Sequence, residues 1–244
     1  MNIKKYLLTA ILNICCLMAI PAYTQEIKPM ELTLREAKIV PIAAYTASGN
    51  LVKLEIALND GLNSGLTVNE IKEILIQMYA YAGFPRSLNG IDTFIKVIHT
   101  REEKGIKDQV GAKAQVLPVD TDKSAYGEKV RMELWGLEKP LTGVQWQTFT
   151  PGIDTYLKEH LFADIFARGV LSHKDREIAT VSALGAMQGV ESQLRAHMIS
   201  ALAIGVSDSQ VQQIINILGQ TVGGEEGQTA QKVYNDIIES HTKK

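Results

Sequence analysis

The chain has 244 residues, of which 45% are hydrophobic and 21% are charged, with 25 basic and 27 acidic side chains. This composition excludes a disordered or collagen-like chain. The formal net charge of −2 argues against a nucleic-acid-binding protein, which needs an excess of basic side chains to neutralise phosphates. The sequence therefore predicts a globular protein with no nucleic-acid partner.

The first 24 residues have the pattern of a secretory signal peptide. Lys4 and Lys5 precede an apolar run over residues 6–20, and Ala22 precedes a polar segment. The run is too short for a typical membrane-spanning helix, which needs ~20 apolar residues. We expect cleavage after Ala22 or Thr24 and a periplasmic or secreted mature protein that is not held in a membrane. A retained N-terminal anchor is the alternative.

Both cysteines, Cys15 and Cys16, lie inside this predicted signal peptide. Cleavage would leave a mature chain with no thiol, and therefore no disulfide, thiolate nucleophile or cysteine-based metal site. A chain of about 220 residues buries ~70% of its unfolded surface, so core packing alone can stabilise it.

One helical pattern occurs twice, about 140 residues apart. Capping boxes stand at Thr33–Glu36 and Thr67–Glu70 in the first copy, and at Ser172–Asp175 and Ser207–Gln210 in the second. The apolar helix face after the later box of each copy also repeats, as Ile71, Ile74, Leu75 and Met78 and then as Val211, Ile214, Ile215 and Leu218. We predict an all-α fold built from a duplicated three-helix unit, over residues 30–101 and 151–240.

The segment 102–150 differs in composition and is predicted to connect the two copies. It contains both tryptophans, Trp135 and Trp146, together with several glycines and prolines. A short helix is expected over residues 127–136 and a clearer one over residues 153–166. No regular structure is predicted for residues 105–124. Alternating strand patterns are missing throughout.

Several of these motifs resemble the carboxymuconolactone decarboxylase family, within the alkylhydroperoxidase D-like superfamily. The motifs are Leu171-Ser172-x-x-Asp175-Arg176-Glu177, Gln193-Leu194-Arg195-Ala196-His197, and, in the first copy, Gly65-Leu66-Thr67-x-x-Glu70-Ile71-x-Glu73-Ile74-Leu75 followed by Tyr81-Ala82-Gly83-Phe84-Pro85. The resemblance covers nearly all of residues 30–240 as two repeats. It implies a helical bundle of the alkylhydroperoxidase D-like type that forms homo-oligomers and acts on a small molecule without a cofactor.

Two residues are predicted to be catalytic. His197 lies on the apolar face of its helix, where partial desolvation suits proton transfer, and the resemblance places a functional histidine there. A core histidine bonded to a backbone carbonyl is the alternative. For Glu177, the resemblance implies a proton-relay role; an acid favoured by the helix dipole is the alternative. The first copy has Ala57 at the position of His197 and, by the same reasoning, Glu36 at that of Glu177.

Arg176 and Arg195 are predicted to bind a substrate carboxylate through bidentate contacts, with surface ion pairing as the alternative. Tyr79, Tyr81 and Phe84 line a pocket or form part of the core. No metal-ligand spacing is found, so no metal site is predicted.

Three functions fit these residues. The first is decarboxylation, or related proton-transfer chemistry, of a small cyclic carboxylate or lactone. The second is membership of the peroxidase-like branch without thiol chemistry, since residues 189–193 lack the CxxC pair of that branch. The third is a non-catalytic module for ligand binding or assembly. Convergence of His197, Glu177 and an arginine near residues 79–84 would favour an enzyme.

Overall fold

The computed structural model of the protein describes residues 31–242, so the predicted signal peptide lies outside the described residues. Regular secondary structure in this range is entirely helical, which confirms the all-α prediction. The helices are α1 (Leu34–Ser48), α2 (Leu51–Asn63), α3 (Val68–Ala82), α4 (Phe84–Glu103), α5 (Lys123–Trp135), α6 (Gln145–Phe149), α7 (Pro151–Thr155), a π-helix (Tyr156–Ile165), a 3-10 turn (Phe166–Arg168), α8 (His173–Gly185), α9 (Glu191–Ala203), α10 (Asp208–Thr221) and α11 (Gly224–Thr242).

Side-chain caps start the helices at the predicted places. Thr33, Thr67, Ser172 and Ser207 each accept a hydrogen bond from the third backbone N–H of the helix that follows, and a side chain at that third position bonds back to the cap. Between α3 and α4 stands Gly83 at φ 83°, a backbone conformation that side chains with a Cβ disfavour. The chain can therefore turn sharply there and begin a new helix.

The two halves of the chain contain helices in the same order, α1–α4 and α8–α11. Each half has four helices, so the predicted three-helix unit was one helix too short. The extra helices are α4 and α11. Because proline disfavours a helix at the residue before it, the pair Phe84-Pro85 predicts a helix boundary. The boundary is present, and Pro85 stands in the first turn of the next helix. Proline is favoured at that position because its missing N–H has no helical partner there.

Helices α1 and α8 pack against each other at the centre, and one apolar cluster extends through both halves. Ion pairs cross this contact in a reciprocal way. The guanidinium of Arg35 in α1 lies 2.8 Å from Asp175 at the start of α8, and Lys174 in α8 lies 2.9 Å from Glu36 in α1. Each cation thus meets the carboxylate that closes the capping box of the opposite helix.

Residues 104–172, between α4 and α8, link the two sets of four helices and are called the connector from here on. The connector packs through α5 and the π-helix around a second apolar cluster. The predicted helix at 127–136 is α5, which begins four residues earlier. The predicted helix at 153–166 is present as α7, the π-helix and the 3-10 turn. Its apolar pattern predicts a packed face made by Tyr156, Leu157, His160, Leu161, Ile165 and Phe166. That prediction is partly wrong, because Tyr156 is 70% exposed and Phe162, which is outside this set, is buried. A π-helix, whose hydrogen bonds join i and i+5, rotates less per residue than an α-helix, so residues three or seven positions apart no longer share a face.

Among the helices of residues 31–242, none combines the length and the apolar character that a membrane crossing requires.

Candidate functional site

Helix α8 is buried from Asp175 to Gly185, between α1, α3 and α9. Buried polar groups need hydrogen-bond partners. The partners of the polar side chains of α8 therefore show where a buried polar site lies. Thr180 and Ser182 bond to backbone carbonyls one turn earlier, which satisfies them within the helix. Arg176 and Glu177 instead reach other helices.

Glu177 contacts His197 of α9, with 2.8 Å between Glu177 Oε2 and His197 Nδ1. Glu177 is fully buried and His197 is 8% exposed. A carboxylate at Nδ1 holds the imidazole in one orientation and selects the form that carries a proton on that nitrogen. Nε2 is then the nitrogen through which the ring can exchange a proton with a ligand.

Tyr81, near the end of α3, completes this site from the first half of the chain. Its ring lies edge-on to the His197 imidazole, with 5.4 Å between the ring centroids. The Tyr81 hydroxyl and Glu177 Oε1 are both buried. Within residues 31–242, Oε1 has no hydrogen-bond partner, and the phenol faces the Thr180 side chain without a well-aligned hydrogen bond. Burial, followed by the negative charge of Glu177, raises the pKa of the Tyr81 phenol well above its usual value. The phenol is therefore neutral and keeps its proton.

Arg176 extends from α8 toward Glu73 and Gln77 of α3. Its guanidinium donates to Glu73 Oε2 over 3.1 Å and to Gln77 Oε1 over 2.9 Å, and it lies 5.6 Å from the centre of the Phe166 ring. The same Glu73 carboxylate accepts hydrogen bonds from Arg168, at 2.8 Å from Nε and 2.8 Å from Nη2. Two guanidiniums thus surround one buried carboxylate, so these three side chains together carry a net charge of one positive unit, opposite in sign to Glu177.

Burial lowers the pKa of the Arg176 guanidinium, and the carboxylate of Glu73 opposes that shift. Arg176 has no exposed surface at all. Its Nε is buried and has no partner among the described residues. The Arg176 guanidinium therefore contributes positive charge to the site without being exposed at its surface. Direct contact with a ligand would require the 3-10 turn at Phe166 to move.

The structure brings together His197, Glu177 and Arg176, and it places Arg195 elsewhere. Arg195 Nη2 donates to the Ser240 hydroxyl of α11 over 3.2 Å. It stands two residues before His197 in α9, a spacing that directs side chains to different faces of a helix. The predicted pair of carboxylate-binding arginines is therefore not assembled at one place.

Sequence reasoning missed Glu73, Gln77 and Arg168, and it left Tyr81 open between pocket and core. Three of these share a sequence signal: Glu73, Gln77 and Tyr81 are spaced four residues apart and form one stripe of α3. Glu73 is 3% exposed and Gln77 is fully buried. This polar stripe lies directly beside the apolar face of α3, and it could have predicted a buried polar site from the sequence.

The equivalence of Glu36 and Glu177 was wrong. The capping boxes align Thr33 with Ser172, and so Glu36 with Asp175. The first half consequently has Lys38 at the position of Glu177. Because Ala57 also stands at the position of His197, the first half contains neither member of the His197–Glu177 pair.

No group of three or more His, Cys, Asp and Glu side chains in residues 31–242 has an arrangement that could hold a metal ion. Cofactor independence remains a prediction. The segment 189–193, which leads into α9 ahead of His197, contains no cysteine.

Residues 151–235 match the model of the carboxymuconolactone decarboxylase family. The matched part runs from α7 into α11 and contains both Glu177 and His197. The match lies entirely within the later part of the chain, and residues 31–150, which contribute Glu73 and Tyr81, lie outside it. No curated protein matches the chain.

Proposed function

We propose that the chain catalyses proton-transfer chemistry on a small cyclic carboxylate or lactone, of the kind performed by carboxymuconolactone decarboxylases. The observation that carries the proposal is the 2.8 Å contact between His197 Nδ1 and Glu177 Oε2, within the part of the chain that matches the family. A histidine oriented by a buried carboxylate is a common arrangement for a general acid or base.

The chemistry follows from the orientation of the ring. When the carboxylate of the substrate leaves as CO₂, its bonding electron pair delocalises onto a neighbouring carbonyl as an enolate. The enolate carbon then takes the proton of Nε2 from protonated His197, which forms the C–H bond and leaves a neutral imidazole. Glu177 holds the proton on Nδ1 throughout, and water returns a proton to Nε2. No step needs a thiol.

The positive charge around Glu73 supports an anionic substrate. Arg176 and Arg168 both contact this one carboxylate, and a net cationic environment stabilises negative charge that develops on a carbonyl oxygen. The Arg168 side chain is 28% exposed, so it is the member of this group nearest to solvent. In this proposal Arg168, instead of Arg195, attracts the substrate carboxylate. Arg176 adds positive charge from its buried position without touching the substrate.

A non-catalytic module is the second candidate, and the low exposure of His197 favours it. A substrate can reach the ring only through the small exposed part or after the surrounding elements move. A thiol peroxidase is not proposed, since the chain lacks the CxxC pair ahead of His197 and thiolate chemistry needs a cysteine.

We also propose that the two halves are diverged copies of one family unit, of which the second alone keeps the proton-transfer pair. The same helix order and the matching caps support this. We further propose that the chain is exported, which the signal-peptide pattern supports. Assembly into a homo-oligomer is also proposed, on the basis of the family resemblance.

The test compares the purified protein with His197→Gln and with the matched control His160→Gln, whose side chain is 50% exposed and pairs with Asp164. Each is incubated with a panel of carboxylated γ-lactones in D₂O, and CO₂ release and deuterium incorporation are measured. We expect turnover by the wild type and the control, and a loss of about 10²-fold or more in His197→Gln. Turnover that survives in His197→Gln would refute the mechanism. Binding of a lactone without turnover by the wild type would favour the non-catalytic module.

A further inference from the structure

The first half has an open groove at the place that corresponds to the His197 site. The groove lies between α1, α2 and α10, and its volume is about 550 Å³. Alignment of the capping boxes relates its residues to those of the second site. Lys38, Ala57 and Thr221 take the positions of Glu177, His197 and Tyr81, respectively.

The walls of this groove are largely apolar. Its lining includes Pro41 of α1, Ala57 of α2 and Ile217 of α10, and the exposed Leu34 and Ile56 form its rim. Leu34 is 67% exposed and Ile56 is 61% exposed. Large aliphatic side chains that remain this accessible around one concave surface are typical of a ligand-binding site.

Two lysines give the groove a positive charge. Lys53 Nζ donates to the Thr221 carbonyl over 3.1 Å and lies 5.6 Å from the centre of the Tyr45 ring. Lys38 Nζ lies 3.7 Å from the carboxylate of Asp60, a loose pair in which the two side chains are 30% and 52% exposed. Asp60 is the one acidic residue among those that line the groove, so the lining carries a net charge of one positive unit.

The corresponding face of the second half is covered by the connector. Phe166 packs over the Arg176 guanidinium, and Arg168 binds Glu73. In the first half the lining comes from α1, α2 and α10 alone within residues 31–242. The groove is therefore accessible to a ligand where the His197 site is enclosed.

We propose that this groove binds a monocarboxylic acid with an apolar body, such as a medium-chain alkanoate. The carboxylate is held by Lys38 and Lys53, which are the cations at the groove, and the apolar body lies along Pro41, Ala57 and Ile217. An apolar amine is disfavoured by the two lysines, and an uncharged alcohol gains nothing from them. Since Ala57 and Lys38 replace the histidine and its carboxylate, this site binds a ligand without proton transfer.

The experiment measures binding to the full-length mature protein by isothermal titration calorimetry, with decanoate, decanol and decylamine as probes at matched ionic strength. We expect decanoate to bind at least about tenfold more tightly than either other probe. The double variant Lys38→Gln/Lys53→Gln should weaken decanoate binding by about tenfold or more. Ile56→Trp, a change at an exposed rim position, should block the groove and abolish binding.

Two controls assign the signal to this groove. Lys72→Gln removes a lysine from a different groove, which is apolar and lies between α3 and α4, and it should leave the affinity for decanoate unchanged. His197→Gln should also leave it unchanged, which separates this site from the proposed catalytic one. Equal affinity for decanol and decanoate, or decanoate binding that survives in Ile56→Trp or falls in Lys72→Gln, would overturn the proposal.

Discussion

At the scale of single residues, the site is defined by polar atoms that are buried and have no partner. Such atoms reduce stability, because a buried donor or acceptor without a hydrogen bond keeps its desolvation cost. The Tyr81 hydroxyl and Glu177 Oε1 both lack a well-formed hydrogen bond within the described part of the chain, and both residues contact His197. A cost at this place is expected where function rather than stability selects the side chain.

Replacing Tyr81 with Phe tests this cost directly. Tyr81→Phe should increase the free energy of unfolding by at most about 1 kcal/mol, because it removes a buried hydroxyl that makes no well-formed hydrogen bond. The turnover of any accepted lactone should fall if the phenol assists the proton transfer. Urea denaturation followed by circular dichroism measures the first quantity.

Tyr45 supplies the matched comparison, since its hydroxyl donates to the Thr221 carbonyl over 3.0 Å. Tyr45→Phe breaks this bond and should therefore lower the free energy of unfolding by about 0.5–1.5 kcal/mol. Equal destabilisation by the two substitutions would show that the Tyr81 hydroxyl has a partner in solution.

At the scale of helices, the connector controls access to the site. The π-helix and the 3-10 turn bring Phe166 and Arg168 over Arg176 and Glu73, and α5 supports them from outside. The support depends on one close approach: a Cβ on Gly127 of α5 would lie 1.8 Å from the backbone carbonyl oxygen of Lys158. A backbone atom cannot make room in the way that a flexible side chain can.

Gly127→Ala should therefore separate α5 from the π-helix and expose the His197 site. We expect a marked loss of stability in the connector, of about 2–4 kcal/mol, and faster hydrogen exchange over residues 123–168 with little change in α1–α4. Gly152→Ala is the control, because a Cβ at Gly152 meets nothing within 4 Å. Unchanged exchange in Gly127→Ala would show that the two helices do not pack this closely.

A fall in pH should destabilise the connector. Asp154 of α7 lies 2.6 Å from Arg131 and 3.0 Å from Lys158. Burial raises the pKa of the Asp154 carboxyl, but the hydrogen bonds from Arg131, Gln147 and Lys158 outweigh burial and hold the pKa below its usual value. A lowered pKa means that the stabilisation is complete above the ordinary value of 3.8 and is lost as the pH falls through the folded-state pKa.

Tryptophan fluorescence reports this step, because Trp135 and Trp146 both lie in the connector and no other tryptophan occurs in the sequence. We expect the emission to change below about pH 4, before the far-ultraviolet circular dichroism changes. Asp154→Asn should reduce the step and destabilise the connector at neutral pH. A change of the two signals at one pH in both proteins would contradict a connector that opens on its own.

Local sequence signals predicted the caps and the repeated order of helices, because each depends on spacing within one or two helices. The capping boxes of Thr33 and Ser172 are examples. His197 and Glu177 were selected with the help of the family resemblance, and the structure places them in contact. The π-helix was not predicted, since the apolar pattern of residues 153–166 was interpreted with α-helical spacing. The contact of Glu73 with Arg168 could not be predicted for a different reason. It joins residues 95 positions apart, and no local sequence pattern links two residues at that distance.

At the scale of the whole molecule, the two halves are joined through α1 and α8 into one body with a shared core. Arg35 of α1 joins three helices at this contact, since its guanidinium lies 2.6 Å from Glu70 of α3 and 2.8 Å from Asp175 of α8. Burial acts to lower the pKa of the Arg35 guanidinium, but the two carboxylates outweigh it and raise the pKa. Arg35 therefore keeps its charge in the folded protein.

Arg35→Met keeps the apolar stem of the side chain but leaves the Asp175 and Glu70 carboxylates without this cation, at side-chain exposures of 9% and 16%. We expect a loss of about 1–3 kcal/mol in the free energy of unfolding. Because α1 and α8 share one core, both halves should lose this stability together, in one shifted urea transition. Lys123→Met is the control, since its pair with Asp164 is exposed at both ends, and it should cost less than about 1 kcal/mol. Two separate transitions in Arg35→Met would show instead that the halves fold independently and that the ion pairs merely align them.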